Sequence, residues 1–321
     1  MEFKTEYFAR LAESGVAAIR YPSSVPGLYE PIRYAMSAGG KRIRPSLTLA
    51  VYAALSGRDP QEIISQAMAV EMFHNFTLLH DDVMDKADMR RGLPTVHRKW
   101  NENTAILSGD TMLSMAYGLL AEGAGERFAA LFGIFNRTAI EVYEGQQLDM
   151  EFETRTDVSV EEYMEMIRLK TSVLLGCACR IGAMLAGASD DVCDCFYSYG
   201  ISLGLAFQLR DDWLDTFGDP AVFGKEIGGD ILNEKKTWLL ITSLTEAGDE
   251  VEAVLRCNLP PREKIDSVTA IYNRLGLSER CAGLISRYSD EAVDAIAGVS
   301  MSDEARQYFK SLAIEAETRT R

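Results

Sequence analysis

The sequence predicts an all-α protein, and three observations carry that expectation. Proline is scarce, 9 in 321 residues, and several prolines sit near the chain start or in obvious connectors. The alternation of β-branched residues that marks half-buried strands is rare. Long stretches instead place apolar residues at helical spacing, bounded by cap and glycine stop signals. Length alone does not choose between one large domain and two ordinary ones. No composition shift marks a boundary, however, and no repeat with a period of roughly 20–50 residues is evident. Residues 1–321 are therefore expected to form one helical domain, and 47% hydrophobic residues suffice to fill its core.

Residues 1–20 read as an amphipathic helix, followed by a connector from Tyr21 to Gly27. A short helix over Leu28–Ser37 ends at Gly39-Gly40, where glycine lets the backbone leave a helix or approach a ligand closely. Pro45 is placed to open the next helix, which runs through Ser56 and stops at Gly57. Asp59-Pro60-Gln61-Glu62 combines an N-cap, a first-turn proline and an acid three residues after the cap. Nothing then breaks the helix from Pro60 to about Asp85, and its nearly all-round apolar surface predicts a central position. Further helices are expected over Glu102–Ala121, Glu126–Phe152, Val160–Leu185, Asp190–Phe217 and Asn233–Thr245, with shorter ones to the end. Ser159 and Glu162 form a capping-box pattern, and the glycine-rich stretch from Gly218 to Asp230 reads as a loop.

A net charge of −15 argues against nonspecific nucleic-acid binding, which needs clustered Lys and Arg. The acidic N-terminus lacks the pattern of a signal peptide, and no long uncharged apolar run predicts a membrane span. A cytoplasmic protein is expected. The six cysteines lie mostly in helical, apolar contexts, with no histidine near the two Cys-x-Cys pairs, so small buried residues are expected there instead of zinc or disulfides.

The chemistry concentrates around Asp81-Asp82-Val83-Met84-Asp85. On a helix, Asp81 and Asp85 lie about 40° apart in projection and roughly 5.4 Å apart along the axis, so they present oxygens to one spot. Asp82 points about 100° away. Two like charges at this spacing call for a cation, and Mg²⁺ suits because it uses one or two carboxylates and completes its shell with water and phosphate oxygens. Arg90 and Arg91 follow directly, able to grip a diphosphate in bidentate fashion. The spacing recurs at Asp211-Asp212-Trp213-Leu214-Asp215, as if two carboxylate clusters faced one another across a cavity. Gly39-Gly40-Lys41-Arg42-Ile43-Arg44-Pro45 adds glycines for close approach and cations for an anion.

Over roughly Tyr34 to Leu240 these motifs resemble the trans-isoprenyl diphosphate synthases, the farnesyl/geranylgeranyl diphosphate synthase family. The resemblance implies an isoprenoid synthase-type helical bundle around a deep cavity, a homodimer, and Mg²⁺-dependent head-to-tail condensation of isopentenyl diphosphate with an allylic diphosphate. It implies three Mg²⁺ per site, on Asp81, Asp85 and Asp211 with Asp82, Asp212 and Asp215 in support. Gly40, Lys41, Arg44, His74 and Arg91 would hold isopentenyl diphosphate, and Arg90 the allylic diphosphate. Lys170 would join Arg90, Thr171 and Gln208 would face the reacting carbons, and Lys225 and Lys235 would complete a cationic collar, with Lys236 a weaker member. Gly145-Gln146-Gln147-Leu148-Asp149 matches a further wall motif. Phe76, five residues before Asp81, with small Thr77 at four and Phe73 at eight, resembles the pattern of enzymes making fifteen- or twenty-carbon products. A class I terpene cyclase and a noncatalytic subunit of a heteromeric prenyltransferase are the alternatives. The diphosphate-binding motif and the second aspartate cluster argue against the first, and the intact aspartates against the second.

Overall fold

Helices form where the caps and stops demand them. The structure, a computed structural model, describes residues 3–219 and 227–319. Helices α1 (Thr5–Ala18), α2 (Pro26–Ser37) and α3 (Ile43–Ser56) open the chain, and Gly57 closes α3 at a φ of 67°. Helix α3 starts two residues ahead of Pro45, because Arg42, at a φ of 50°, turns the chain into it. Asp59 accepts from the Gln61 N–H as expected, but the Glu62 carboxylate is taken by the Tyr52 hydroxyl at 2.8 Å. One 3₁₀ turn, Pro60–Ile63, then leads into α4 (Ile64–Met84).

Helix α4 stops directly behind the first aspartate cluster. Ala87 N–H donates to the Asp82 carbonyl and Lys86 N–H to the Val83 carbonyl, a Schellman pattern with Lys86 left-handed at a φ of 53°. A non-glycine residue there costs about 1–2 kcal/mol, so surrounding structure imposes this stop and no glycine announces it. Next comes a feature that the periodicities do not show, an antiparallel pair of β1 (Met89–Arg90) and β2 (Leu93–Pro94). Its two-residue turn is Arg91-Gly92, at φ of 52° and 76°, the left-handed pair that a type I′ turn requires. Glycine fits such a turn; arginine is held there under strain.

Helices α5 (Val96–Lys99), α6 (Glu102–Ala121) and α7 (Phe128–Thr154) follow. Ser159 and Glu162 do form the capping box of α8 (Val160–Ile167). The single helix expected over Val160–Leu185 is divided: Arg168–Ser172 make a π-helical turn before α9 (Val173–Ala186). Then come α10 (Asp190–Phe217) and a short α11 (Gly229–Leu232). The helix expected from Asn233 begins instead at Trp238, capped by the Thr237 hydroxyl; it breaks at Ala247, at a φ of −144°, and resumes to Arg256, the two parts together forming α12. Helices α13 (Pro261–Arg274), α14 (Leu277–Ala295) and α15 (Asp303–Thr318) complete the chain.

Two compact units are built from interleaved segments. The first comprises Met1–Arg137, Cys177–Tyr197 and Ser300–Tyr308. Its axis is α4, packed by α6, α3, α1 and α2, with Phe73 and Met72 essentially inaccessible. Gly109 on α6 lets that helix touch His80, where any Cβ would collide with the imidazole. The second unit comprises Thr138–Gly176, Ser198–Val299 and Phe309–Arg321. There α12 packs on α13, α14 and α8, around a core of Leu240, Val251 and Ile271. Each such buried aliphatic side chain contributes roughly 1.5–3 kcal/mol. The segment Val160–Ala186 is apolar and long enough to cross a membrane, yet 72% of its most apolar window is buried in the protein.

Candidate active site

In the first unit a cluster of cations is assembled beside α4. Arg44, the second residue of α3, places Nη1 3.1 Å from His74 Nε2. Guanidinium only donates, so Nε2 accepts and the His74 proton sits on Nδ1. Enclosure and the arginines at 44, 91, 90 and 42 together hold His74 well below its ordinary value of 6.5, leaving the ring neutral. Burial likewise pulls Arg44 down to about 10, with Glu71 opposing and Arg91 assisting, and its Nε is enclosed without a hydrogen-bond partner. A buried orphan donor beside a second cation is what an anion would satisfy. Arg91 reaches back to donate to the Gly39 carbonyl, and its guanidinium lies against Gly40, where a Cβ would come within 2.8 Å of Cζ. Gly40 also has a φ of 129°, so it meets the close approach and the backbone requirement that the motif implied. Lys41 is exposed beside it.

Arg90 faces the first aspartate cluster. Its Nε donates to Asp82 Oδ1 at 2.7 Å and its Nη2 lies 3.6 Å from Asp81 Oδ2. Asp82 is only 5% exposed, whereas Asp85 is open to solvent. Burial raises the Asp82 carboxyl and Arg90 opposes that rise. A small, half-open pocket lies on the Asp82 side of α4, between Tyr34, Asn75, Arg90 and Arg91. Phe76 is 6% exposed, its ring 5.5 Å from Phe73 and 4.8 Å from His80, and the Thr77 hydroxyl donates to the His74 carbonyl.

Because the folded state disfavours the charged ring of His74, stability is withdrawn as pH falls through 6.5. That loss is expected to approach about 1.4 kcal/mol per pH unit. His74→Gln should remove it. Urea unfolding of both proteins at about pH 7.5 and about 5.5 checks this; equal acid sensitivity would show that His74 titrates normally.

In the second unit the acidic motif lies on α10. Asp212 is 4% exposed and accepts from the Tyr163 hydroxyl and from Gln208 Nε2, the latter at 3.0 Å. Asp215 Oδ2 accepts from the Asp230 N–H and its carbonyl from the Gly228 N–H, tying the start of α11 to the motif. Asp211 is paired with Arg319, whose guanidinium stacks 3.6 Å from the Phe207 ring centroid. Lys170 Nζ donates to Asp149 Oδ2 at 2.6 Å, and Thr171 Oγ1 to Gln208 Oε1 at 3.1 Å. The backbone of Lys170 packs onto Gly145, where no Cβ would fit. Burial pushes Asp230 up to about 7 although Lys235 opposes it. Enclosure pulls Lys235 down, but the carboxylates of Asp212, Asp230, Asp149 and Asp215 outweigh it and hold the lysine above its ordinary range. Lys236 Nζ donates to the Glu234 carbonyl. Lys225 lies outside the described residues.

The profile of the polyprenyl synthetase family matches residues 25–275. The chain belongs to that family. A geranylgeranyl diphosphate synthase of Saccharolobus solfataricus is 39% identical over 300 residues, 91% of this chain and 90% of the relative. A geranylfarnesyl diphosphate synthase of Natronomonas pharaonis is 34% identical over 309 residues, 89% and 88% of the two chains. A crystal structure of a geranylgeranyl pyrophosphate synthase superposes with a TM-score of 0.91 at 43% identity, covering 98% of each chain. The chain is thus a trans-isoprenyl diphosphate synthase with the all-α isoprenoid synthase fold, a short-chain prenyltransferase. The cyclase and noncatalytic-subunit alternatives are not favoured. Members of the family use Mg²⁺ for catalysis.

The aspartates of this synthase suit that ion. Asp81 and Asp85 are hard oxygen donors one turn apart. Among the described residues no three His, Cys, Asp or Glu side chains converge on one metal position.

Sequence reasoning missed Arg42 and Glu71. Arg42 is 3% exposed and donates to Glu71 at 2.6 Å, to Glu13 at 2.9 Å and to the Met36 carbonyl at 2.7 Å. Removing one member of such a buried pair costs about 3–5 kcal/mol. The available signal was Glu71 itself, a lone carboxylate amid Val70, Met72 and Phe73 that required a cationic partner.

Proposed function

We propose that this synthase condenses isopentenyl diphosphate with an allylic diphosphate to make a twenty-carbon, all-trans product. The relatives named geranylgeranyl diphosphate synthase support that length. Phe76, packed on Phe73 at the fifth position before Asp81, is the observation that carries it. In this reading residues 1–321 form one domain. Four of the unit divisions, after Arg137, Gly176, Tyr197 and Tyr308, fall inside continuous helices, which supports a single domain. Exposed Ile106, Leu107, Phe128 and Phe132 on α6 and α7 support a homodimer, since apolar side chains in such a group are suited to an interface. Six free cysteines suit a cytoplasmic setting.

Arg44, Arg91, Lys41 and neutral His74 hold isopentenyl diphosphate, with Gly40 giving its oxygens backbone access. Arg90 and Lys170 hold the allylic diphosphate, and Lys235, with Lys225, adds positive charge to the collar. Asp81, Asp85 and Asp211 would hold three Mg²⁺, which when bound would supply positive charge to the leaving diphosphate. Thr171 and Gln208 place negative dipole ends beside the cation that develops as the allylic C–O bond breaks. The isopentenyl double bond attacks that cation, and the proton lost afterwards goes to the released diphosphate. Apolar walls exclude water, which would otherwise capture the cation.

Incubating the purified chain with isopentenyl diphosphate, Mg²⁺ and each allylic primer in turn, then sizing the dephosphorylated alcohols, tests the proposal. A twenty-carbon alcohol is expected. Product from an allylic diphosphate alone would mark a cyclase, and a dominant twenty-five-carbon alcohol would displace Phe76 as the end stop.

A further inference from the structure

A hydrogen-bonded chain in the second unit ends at a residue assigned above to the reacting carbons. Tyr163, 1% exposed, donates its hydroxyl to Asp212 Oδ2. Gln208 Nε2 donates to the other oxygen, Oδ1, at 3.0 Å. With a donor on each oxygen, Asp212 serves as a two-sided acceptor, and the Gln208 amide has one sensible orientation. Reversed, its carbonyl would oppose a carboxylate oxygen. The amide oxygen is therefore turned to Thr171, whose Oγ1 donates to it at 3.1 Å. That bond consumes the one hydroxyl hydrogen of Thr171 and leaves Oγ1 only lone pairs to offer.

We propose that Asp212, held by Tyr163, is a positioning residue that orients Gln208 and Thr171 so that the chain of donors terminates in a polarised oxygen for the allylic cation. The proposal rests on the reading of Thr171 as cation-facing. Each link is aligned the same way: carboxylate, amide N–H, amide oxygen, hydroxyl hydrogen, hydroxyl oxygen. Such chains polarise cooperatively in a low-dielectric setting, so part of the carboxylate's negative potential is expressed at Oγ1. A carboxylate placed directly against an allylic cation would capture it as an ester. Relay through an amide and a hydroxyl supplies the potential without that nucleophile. The backbone supports the same reading, because Lys170 and Thr171 lie on the π-helical turn Arg168–Ser172, and such turns recur at functional sites. Gly204 on α10 then lets that helix close directly onto Ser172, beside the relay.

The same reading separates Asp212 from Asp211. Both of its oxygens are committed to protein donors and it is 4% exposed, so its contribution is orientation and not metal coordination.

The test uses the full-length enzyme with isopentenyl and dimethylallyl diphosphates and Mg²⁺. Thr171→Val and Tyr163→Phe are each expected to lower kcat about 10-fold, with KM for both diphosphates and half-saturating Mg²⁺ within about twofold of wild type. The double variant should be no slower than the worse single one, because both changes interrupt one chain. Asp212→Asn should lower kcat further while leaving the Mg²⁺ requirement unchanged. A wild-type rate in Tyr163→Phe, additive losses in the double variant, or a raised Mg²⁺ requirement in Asp212→Asn would each overturn the relay. If Asp212→Asn does not fold, the Tyr163–Thr171 cycle decides alone. Full activity of Thr171→Val, or a wild-type chain that makes no prenyl diphosphate, would instead remove the reading beneath it.

Discussion

Asp81→Ala and Asp211→Ala are each expected to lower turnover at least ~100-fold while the chain stays folded. The carboxyl of Asp81 keeps 19% of its side-chain surface accessible, and its contact to Arg90 is long, at 3.6 Å. Losing so loose a pair changes stability by no more than about 1 kcal/mol. Asp211 is 44% accessible, paired with Arg319 from beyond the end of α15. Asp81 is not built into a core, so its loss should appear in catalysis and not in the melting curve; Asp211→Ala also leaves the enclosed Arg319, 7% exposed, without its ion pair, so some loss of stability is expected with it. Asp82→Ala provides the contrast. That carboxylate is buried and holds Arg90 at 2.7 Å, so its removal empties an enclosed polar site and takes from Arg90 the shorter of its two ion pairs. A drop in stability alongside activity is expected there. Steady-state turnover and thermal unfolding of the three variants separate the cases. Near-normal turnover in Asp81→Ala or Asp211→Ala would end the assignment of metal to these residues.

Phe76→Ala is expected to shift the product to twenty-five carbons or more. The ring lies five residues before Asp81, roughly 7.5 Å down the helix axis, where a growing tail descending along α4 would meet it. Behind it stands Phe73, 5.5 Å away and itself packed edge-on against Phe135 at 5.4 Å. Removing the first ring opens space for about one more isoprene unit before the second ring stops the chain. The double change Phe73→Ala, Phe76→Ala should therefore lengthen the product again. The single substitution is expected to cost about 3–5 kcal/mol, because it empties a well-filled site that relaxes only in part. Chromatography of dephosphorylated products decides the question. An unchanged distribution from a folded Phe76→Ala enzyme would assign the ring to packing alone.

Local grammar made much of this legible in the chain. The capping box at Ser159 and Glu162, the glycine stop at Gly57 and the bounds of α6 and α10 follow from residues within a turn of one another. The projection of Asp82 away from Asp81 and Asp85 was equally readable, since helix geometry alone sets it. Where the sequence misled, a distant partner had intervened. Lys86 ends α4 without a glycine, and Arg91 occupies a turn position that favours Asn or Gly. The π-helical turn at Arg168–Ser172 leaves no mark on hydrophobic periodicity over so short a span. The start of α12 moved to Trp238 because the Thr237 hydroxyl, and nothing at Asn233, supplies the N-cap.

By itself the sequence determined which residues carry charge, which turns of helix they share and where most helices begin and stop. Those properties depend on neighbours three or four residues away, which a linear chain displays directly. Only the tertiary structure decided how each charge is spent. Arg42 is locked to Glu71 in the interior, while Arg44, two residues later, keeps an enclosed donor unsatisfied beside a neutral His74. Asp212 is consumed by Tyr163 and Gln208, whereas its neighbour Asp211 retains nearly half its surface. Adjacent, chemically identical side chains acquire different roles because desolvation and hydrogen-bond partners are set by segments tens of residues away, and no local pattern encodes those.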